Sequence, residues 1–270
     1  RTIAGLRTCS KLNPLGGFDM AFPLTIHLGY GQEKVETSSQ KQKLGTRAVL
    51  PDGRVFYYAE NSNAAITSAG QIVDGIAAVG AHDGDLATAA LAAGSLTATT
   101  TTSLTVTKNQ YKDGYLFIND VAGQGEVYRV KSNTAVASAA GCEITIDESD
   151  GFRTAFTTGT QFGLMYPPYK DIKIIDGDGT MTTGPLGVTT IPVTADYFCW
   201  IQTSGPAAVF SGAATYVIGD AIGVSQESSE SGAADLWDAS SEEDTRPIGT
   251  SMGVVSVSTE YGWVMLAIRD

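Results

Sequence analysis

At 270 residues with a net charge of −12, the chain is long enough for a substantial core and poorly suited to gripping phosphate, which needs clustered Lys and Arg. Charged residues make up only 17% of it, against roughly 25% in an average soluble domain. That leaves a neutral, hydroxyl-rich surface of the kind that copies of the same chain or a partner can cover. Cys9, Cys142 and Cys199 are odd in number and lack Cys-x-x-Cys spacing, so reduced, buried thiols made in a cytosol are expected instead of disulfides or a zinc site.

Residues 1–43 follow no sustained helical or strand period. Gly16, Gly17, Pro14 and Pro23 punctuate them, and apolar residues recur along them. Two readings stand: an extended N-terminal arm that orders against another surface, or a first strand over 24–28 paired into the chain's own sheet. Met20-Ala21-Phe22-Pro23 resembles a translation start, which would make residues 1–19 an upstream extension, a processed remnant or an artefact. No charged-then-apolar signal peptide opens the sequence, and no run approaches the ~18 apolar residues of a membrane span.

Residues 47–58 read as a hairpin, with Pro51-Asp52-Gly53 supplying the turn chemistry. A further strand region over 66–79 is broken by Gly70 and Gly75. The Ala-rich stretch 83–93, acidic at its start and ended by Gly94, predicts a short helix. Thr-rich residues 96–107 favour a strand because β-branched side chains fit a pleated surface, and strands are expected at 115–119, 126–130 and 143–146. After Pro167-Pro168, strands are expected at 172–175, 188–193, 197–202, 207–210, 221–224, 253–257 and 263–268. The phrases 194–201 and 259–264 each run from a turn into Tyr and then Trp, as in two related hairpins sharing a core. Residues 227–244 form an acidic, solvated loop in which Trp237 reads as a packing anchor.

The pattern as a whole predicts a mainly β fold: an antiparallel β-barrel or sandwich core with an inserted β subdomain, an extended N-terminal arm and at most one or two short helices. The arm is 1–43, the main domain 44–94 with 166–270, and the insertion 95–165.

Several phrases imitate catalytic motifs. Gly249-Thr250-Ser251-Met252-Gly253 matches the nucleophile elbow G-x-S-x-G, yet alternating residues follow it where a helix is required. Both histidines, His27 and His82, lie upstream of the serine instead of after it. Asp176-Gly177-Asp178-Gly179-Thr180 copies the aspartyl-nucleophile phrase of haloacid dehalogenase-type phosphatases, without the βα units that must follow. The same cluster puts Gly187 where an EF-hand needs its bidentate Glu. All three read better as turns.

The phrases at 44–58, 113–120, 125–132, 192–202, 249–250 and 262–264 together resemble head decoration or capsid cement proteins of tailed bacteriophages. The likeness spans much of 44–270 and covers residues 1–19 poorly. It implies a non-enzymatic virion protein without cofactor or metal, made in the host cytoplasm and placed on the outer capsid surface. There it would brace neighbouring major capsid protein subunits as a homo-oligomer (trimer or dimer), without direct contact to nucleic acid or membrane. On that reading Phe18, Phe22, Leu24, Ile26, Leu28 and Tyr30 are the expected partner-interface residues. The rival is a phage tail fibre, spike or receptor-binding component, which would recognise carbohydrate or host surface through exposed aromatics.

Overall fold

A computed structural model describes residues 25–269 apart from 104, 139, 178–180, 213–214, 228, 238–246, 256 and 258. The described residues are nearly all β, with only two short 3-10 turns among them, at Gln32–Lys34 and Gly80–His82. No helix among the described residues is long and apolar enough to cross a membrane. In chain order, β1 (Thr25–His27), β2 (Arg47–Val49), β3 (Val55–Glu60) and β4 (Ile72–Asp74) come first. They are followed by β5 (Asp83–Ala87), β6 (Thr97–Thr102), β7 (Tyr115–Asp120), β8 (Val127–Asn133), β9 (Ala140–Ile146) and β10 (Gln161–Met165). The chain ends with β11 (Lys173–Ile174), β12 (Gly187–Thr189), β13 (Phe198–Phe210), β14 (Ala221–Val224), β15 (Ala234–Leu236), β16 (Gly249–Ser251) and β17 (Tyr261–Ala267).

Strands β5 to β10 close into a barrel in the order β10-β5-β6-β9-β8-β7, and closure removes the free edges that a small open sheet would expose. Its interior is filled by apolar side chains, among them a run of edge-on rings from Tyr128 through Phe152 and Phe156 to Phe162, with centroids 4.8, 5.0 and 5.4 Å apart. All other strands form one eleven-stranded sheet with the path β1-β2-β3-β13-β17-β16-β14-β15, and β4, β11 and β12 attach beside β13. Two apolar clusters line it. One gathers Leu44, Phe56, Tyr58, Ile172 and Ile201; the other gathers Ile72, Val209, Ile222, Val264 and Leu266.

The 47–58 hairpin forms as expected, with β2 and β3 antiparallel and Gly53 at φ +88° in its turn. The expected helix at 83–93 does not form. Residues 83–87 are β5, paired with both β6 and β10. An isolated stretch this short is marginal as a helix, Gly84 at φ +95° lies outside helical space, and hydrogen bonding on both edges outweighs alanine's propensity. The closed barrel therefore begins at Asp83, ahead of the residue 95 boundary. β13 is one continuous strand where two were expected. Its two halves lie on either side of a register shift between Gln202 and Ser204, the first paired with β3 and the second with β17. Among the described residues of the strand expected at 253–257, Val255 makes a single bridge to Tyr216, and the ladder beside β17 is taken by β16. β15 lies inside the stretch read as an acidic loop, and β10 had no sequence prediction at all.

Barrel and sheet meet at a buried carboxylate. Asp113 accepts hydrogen bonds from Gln40 Nε2 (2.6 Å) and the Leu44 N–H (3.3 Å), while Arg129 donates to the Leu44 carbonyl (3.0 Å) and faces Asp113 at 3.9 Å. A carboxylate carrying these charge-assisted bonds pins residues 40–44 to the barrel.

Candidate functional site

Phe18, Phe22 and Leu24 lie outside the described residues. Ile26 is on β1, opposite Ala48 of β2 in a parallel pair, and packs half-buried against the sheet core. Leu28 is buried in that core, its N–H donating to the Val49 carbonyl. Tyr30 is exposed. Residues 25–28 thus take the first-strand reading: Ile26 and Leu28 are committed to the chain's own core, and of the described trio only Tyr30 faces water.

The Gly249–Gly253 look-alike opens with β16, a strand of the sheet. Ser251 is buried on β16 and its hydroxyl donates to the Gly253 carbonyl at 2.7 Å. A Cβ on Gly249 would lie 2.2 Å from the Met265 carbonyl oxygen, so this glycine permits close strand approach. Asp176 pairs with Lys173 at 3.3 Å, and residues 178–180 lie outside the described part. Cys142 and Cys199 are buried and free, and burial raises both thiols, Cys199 to about 12, which keeps them protonated. Among the described residues no group of three or more His, Cys, Asp or Glu is arranged to hold a metal ion.

A buried polar knot closes one end of the barrel. His82 Nδ1 and the Tyr111 hydroxyl share a hydrogen bond, and burial pushes the Tyr111 phenol up. Asp85 Oδ1 accepts the Ser103 N–H at 3.3 Å, and burial raises its carboxyl although His82 opposes this. His82 Nε2, Asp85 Oδ2 and Thr102 Oγ1 are buried without a hydrogen-bond partner.

Lysines distant in sequence converge where barrel and sheet meet. Lys41, Lys43, Lys112 and Lys131 line a cleft of about 420 Å³ together with Asp113 and Asp147. Lys43 is paired with Asp147, and Lys112 donates to Gln40 at 2.9 Å. From sequence alone the cations near residue 41 look dilute; the topology concentrates them.

The most conspicuous surface lies on β17. Tyr261, Trp263 and Met265 alternate with buried Gly262, Val264 and Leu266 and point away from the core. Trp263 is 61% exposed, Tyr261 51% and Met265 41%. Across β13 their partners on the same face are Phe210, Ala208 and Pro206, and across β16 Thr250 lies opposite Met265. Met252, also exposed, donates its N–H to the Trp263 carbonyl. Tyr261 is held in place: its hydroxyl donates to the Ala69 carbonyl (3.1 Å) and its ring meets Phe210 edge-on at 5.9 Å. Gly70, at φ +74°, makes room for it, since a Cβ there would come within 2.6 Å of the ring. Beside this face runs a groove of about 260 Å³ bordered by Tyr261, Trp263, Gln202, Thr189, Arg54 and Lys34.

The two Tyr-to-Trp phrases do not share a core. Trp200 is buried in the sheet core, whereas Trp263 stands in water. Trp237 is half-buried over Gly223, within 3.3 Å of where a Cβ would stand, which agrees with a packing role. A sequence signal for the exposed face existed: 261–267 reads Tyr-Gly-Trp-Val-Met-Leu-Ala, an unbroken apolar run of the kind found where both faces of a strand are covered. No family model, no curated protein and no solved structure matches the chain.

Proposed function

We propose that this chain is a structural virion protein that binds the outer surface of a phage capsid and stabilises it by bridging neighbouring major capsid subunits. The observation that carries the reading is the outward apolar face of β17, in the broad sheet beside the closed barrel. Contiguous exposed apolar surface of this kind marks a protein–protein contact, and the phrase-level resemblance to decoration proteins names the class of partner. Residues 1–24, with Phe18, Phe22 and Leu24, supply a second contact that reaches the shell. Many modest contacts repeated over a shell bind strongly through multivalency. Deleting residues 1–24 leaves β1 in place, so the test is co-sedimentation of full-length and deleted protein with capsids. Full-length protein is expected to pellet at a fixed ratio to the main shell protein and the deletion to lose occupancy; equal occupancy refutes the arm.

One observation favours the fibre or receptor-binding alternative: the groove beside Tyr261 and Trp263, with polar Gln202 and Thr189 on its walls, has the make-up of a saccharide site. Imaging a labelled copy on virions separates the two, over the head for a capsid protein and at the tail for a receptor binder.

A further inference from the structure

We infer that the lysine cleft at the barrel–sheet junction binds a compact polyanion of linked phosphate groups, a short polyphosphate or a nucleoside triphosphate. The inference is independent of the capsid reading and survives its failure. Four of the chain's nine lysines, Lys41, Lys43, Lys112 and Lys131, line this one cleft. They come from three separate segments: the stretch ahead of β2, the turn before β7, and β8. On a chain of net charge −12, such a gathering of cations is the exception.

The two carboxylates of the cleft do not neutralise it. Asp147 is taken by Lys43, and Asp113 by Arg129, Gln40 and the Leu44 N–H. Lys112 donates to the neutral Gln40 amide at 2.9 Å, and among the described residues Lys41, Lys112 and Lys131 pair with no carboxylate. Three ammonium groups therefore line one recess without a counter-charge. A cleft walled by one sign of charge focuses the field and concentrates anions. Holding like charges together is unfavourable in itself, and an anion set among them removes that cost.

Shape and chemistry narrow the ligand. A volume of about 420 Å³ suits a small molecule. No arginine is among the lining residues, so the planar fork that grips a carboxylate through two parallel bonds is missing. Ammonium point charges instead suit tetrahedral oxyanions approached from several sides, and three of them match adjoining phosphates better than a single one. A nucleic acid would carry further phosphates across a surface whose overall charge is −12, where like charge repels. Lys41 belongs to the sheet side, its N–H bonded to the Tyr58 hydroxyl of β3 at 3.0 Å, whereas Lys112 and Lys131 belong to the barrel. A polyanion held by all three fastens the junction.

The test is isothermal titration calorimetry of the full chain with sodium tripolyphosphate at constant ionic strength. One tripolyphosphate is expected per chain, with a Kd of about 0.5 mM or tighter, the strength of three charge-assisted hydrogen bonds. Lys112→Gln and Lys131→Gln are each expected to weaken binding about tenfold, with unchanged far-ultraviolet circular dichroism. Lys173→Gln removes the same charge from a residue that does not line the cleft and is expected to shift binding by less than about twofold. ATP without divalent cation separates the two sources: binding no tighter than tripolyphosphate points to free polyphosphate, tighter binding to a nucleotide, and both keep the site. Absence of saturable binding up to about 5 mM, or binding that both cleft variants leave unaltered, overturns the inference. So does sulfate that binds as tightly as tripolyphosphate, which means an adventitious ion only. A single-stranded oligonucleotide that binds more tightly through the same lysines also overturns it, by making the cleft a nucleic-acid contact.

Discussion

Adjacent residues on one strand allow a direct test of which side of the sheet is core. Ala207 is 5% exposed and faces Val264 across β13 and β17, while Ala208 is exposed and faces Trp263. Glutamate at either position changes the sequence identically and β propensity hardly at all. At 208 the carboxylate stays in water, within the ±0.5 kcal/mol or so of an ordinary surface change. At 207 it enters an apolar cluster with no partner, so it folds only as the neutral acid. Protonating it at pH 7 from an unfolded value near 4.3 costs about 3.7 kcal/mol, and forcing the longer side chain into a packed core adds roughly 1–3 kcal/mol. The sum, about 5–7 kcal/mol, rivals the whole stability of many domains. The sign with pH is fixed: a folded-state pKa raised above the unfolded value penalises folding above about pH 4.3 and not below it. At pH 4 the difference between the two variants should therefore shrink by about 3.5 kcal/mol. Urea unfolding at pH 7 and pH 4, at concentrations low enough to exclude association, measures both numbers. Equal destabilisation by the two substitutions would refute the assignment of faces, and a gap unchanged between the two pH values would refute burial as its cause.

Three further outcomes are expected. Tyr111→Phe removes the partner of His82 Nδ1 in a ring whose Nε2 is already unpartnered, costing about 1–3 kcal/mol in thermal melts; an unchanged midpoint would mean that the bond does not contribute. Burial raises the Asp85 carboxyl, so this group disfavours the folded state at neutral pH and ceases to do so as pH falls toward its unfolded value. Asp85→Asn should accordingly raise the melting midpoint at pH 7 more than at pH 4, and an equal effect at both would contradict the shift. Gly249→Ala drives a Cβ against the Met265 carbonyl and should cost about 2–3 kcal/mol by urea denaturation, whereas Ser251→Ala, losing one hydroxyl bond, should cost about 1 kcal/mol. The reverse order would reinstate the serine as the reason for the glycines.

Much of the fold was legible because strand and turn chemistry is local. Pro51-Asp52-Gly53 made its hairpin, and the β-branched run at 97–102 made β6. What failed depended on partners far along the chain. The helix expected at 83–93 gave way at 83–87 to β5 because β6 and β10 bond to both its edges, a term invisible to propensity. β15 formed inside an acidic stretch because β14 was there to pair with it. The arm residues were half legible: the spacing of Ile26 and Leu28 marked apolar anchors, but only the parallel pairing of β1 with β2 shows that those anchors are spent internally. The lysine cleft escaped for the same reason, since Lys41 and Lys131 meet only across the barrel–sheet junction. The exposed face, by contrast, was written in the unbroken apolar run at 261–267, and the two-face meaning of such a run was the signal to read.

The proposed role is occupancy of a shell, and the number of copies bound to purified capsids tests it most directly. Saturation is expected at a fixed, symmetry-compatible ratio to the major capsid protein, with bound capsids resisting heat or low salt better than bare ones. Protein that remains in the supernatant at saturating concentration, or that localises to the tail alone, would contradict it.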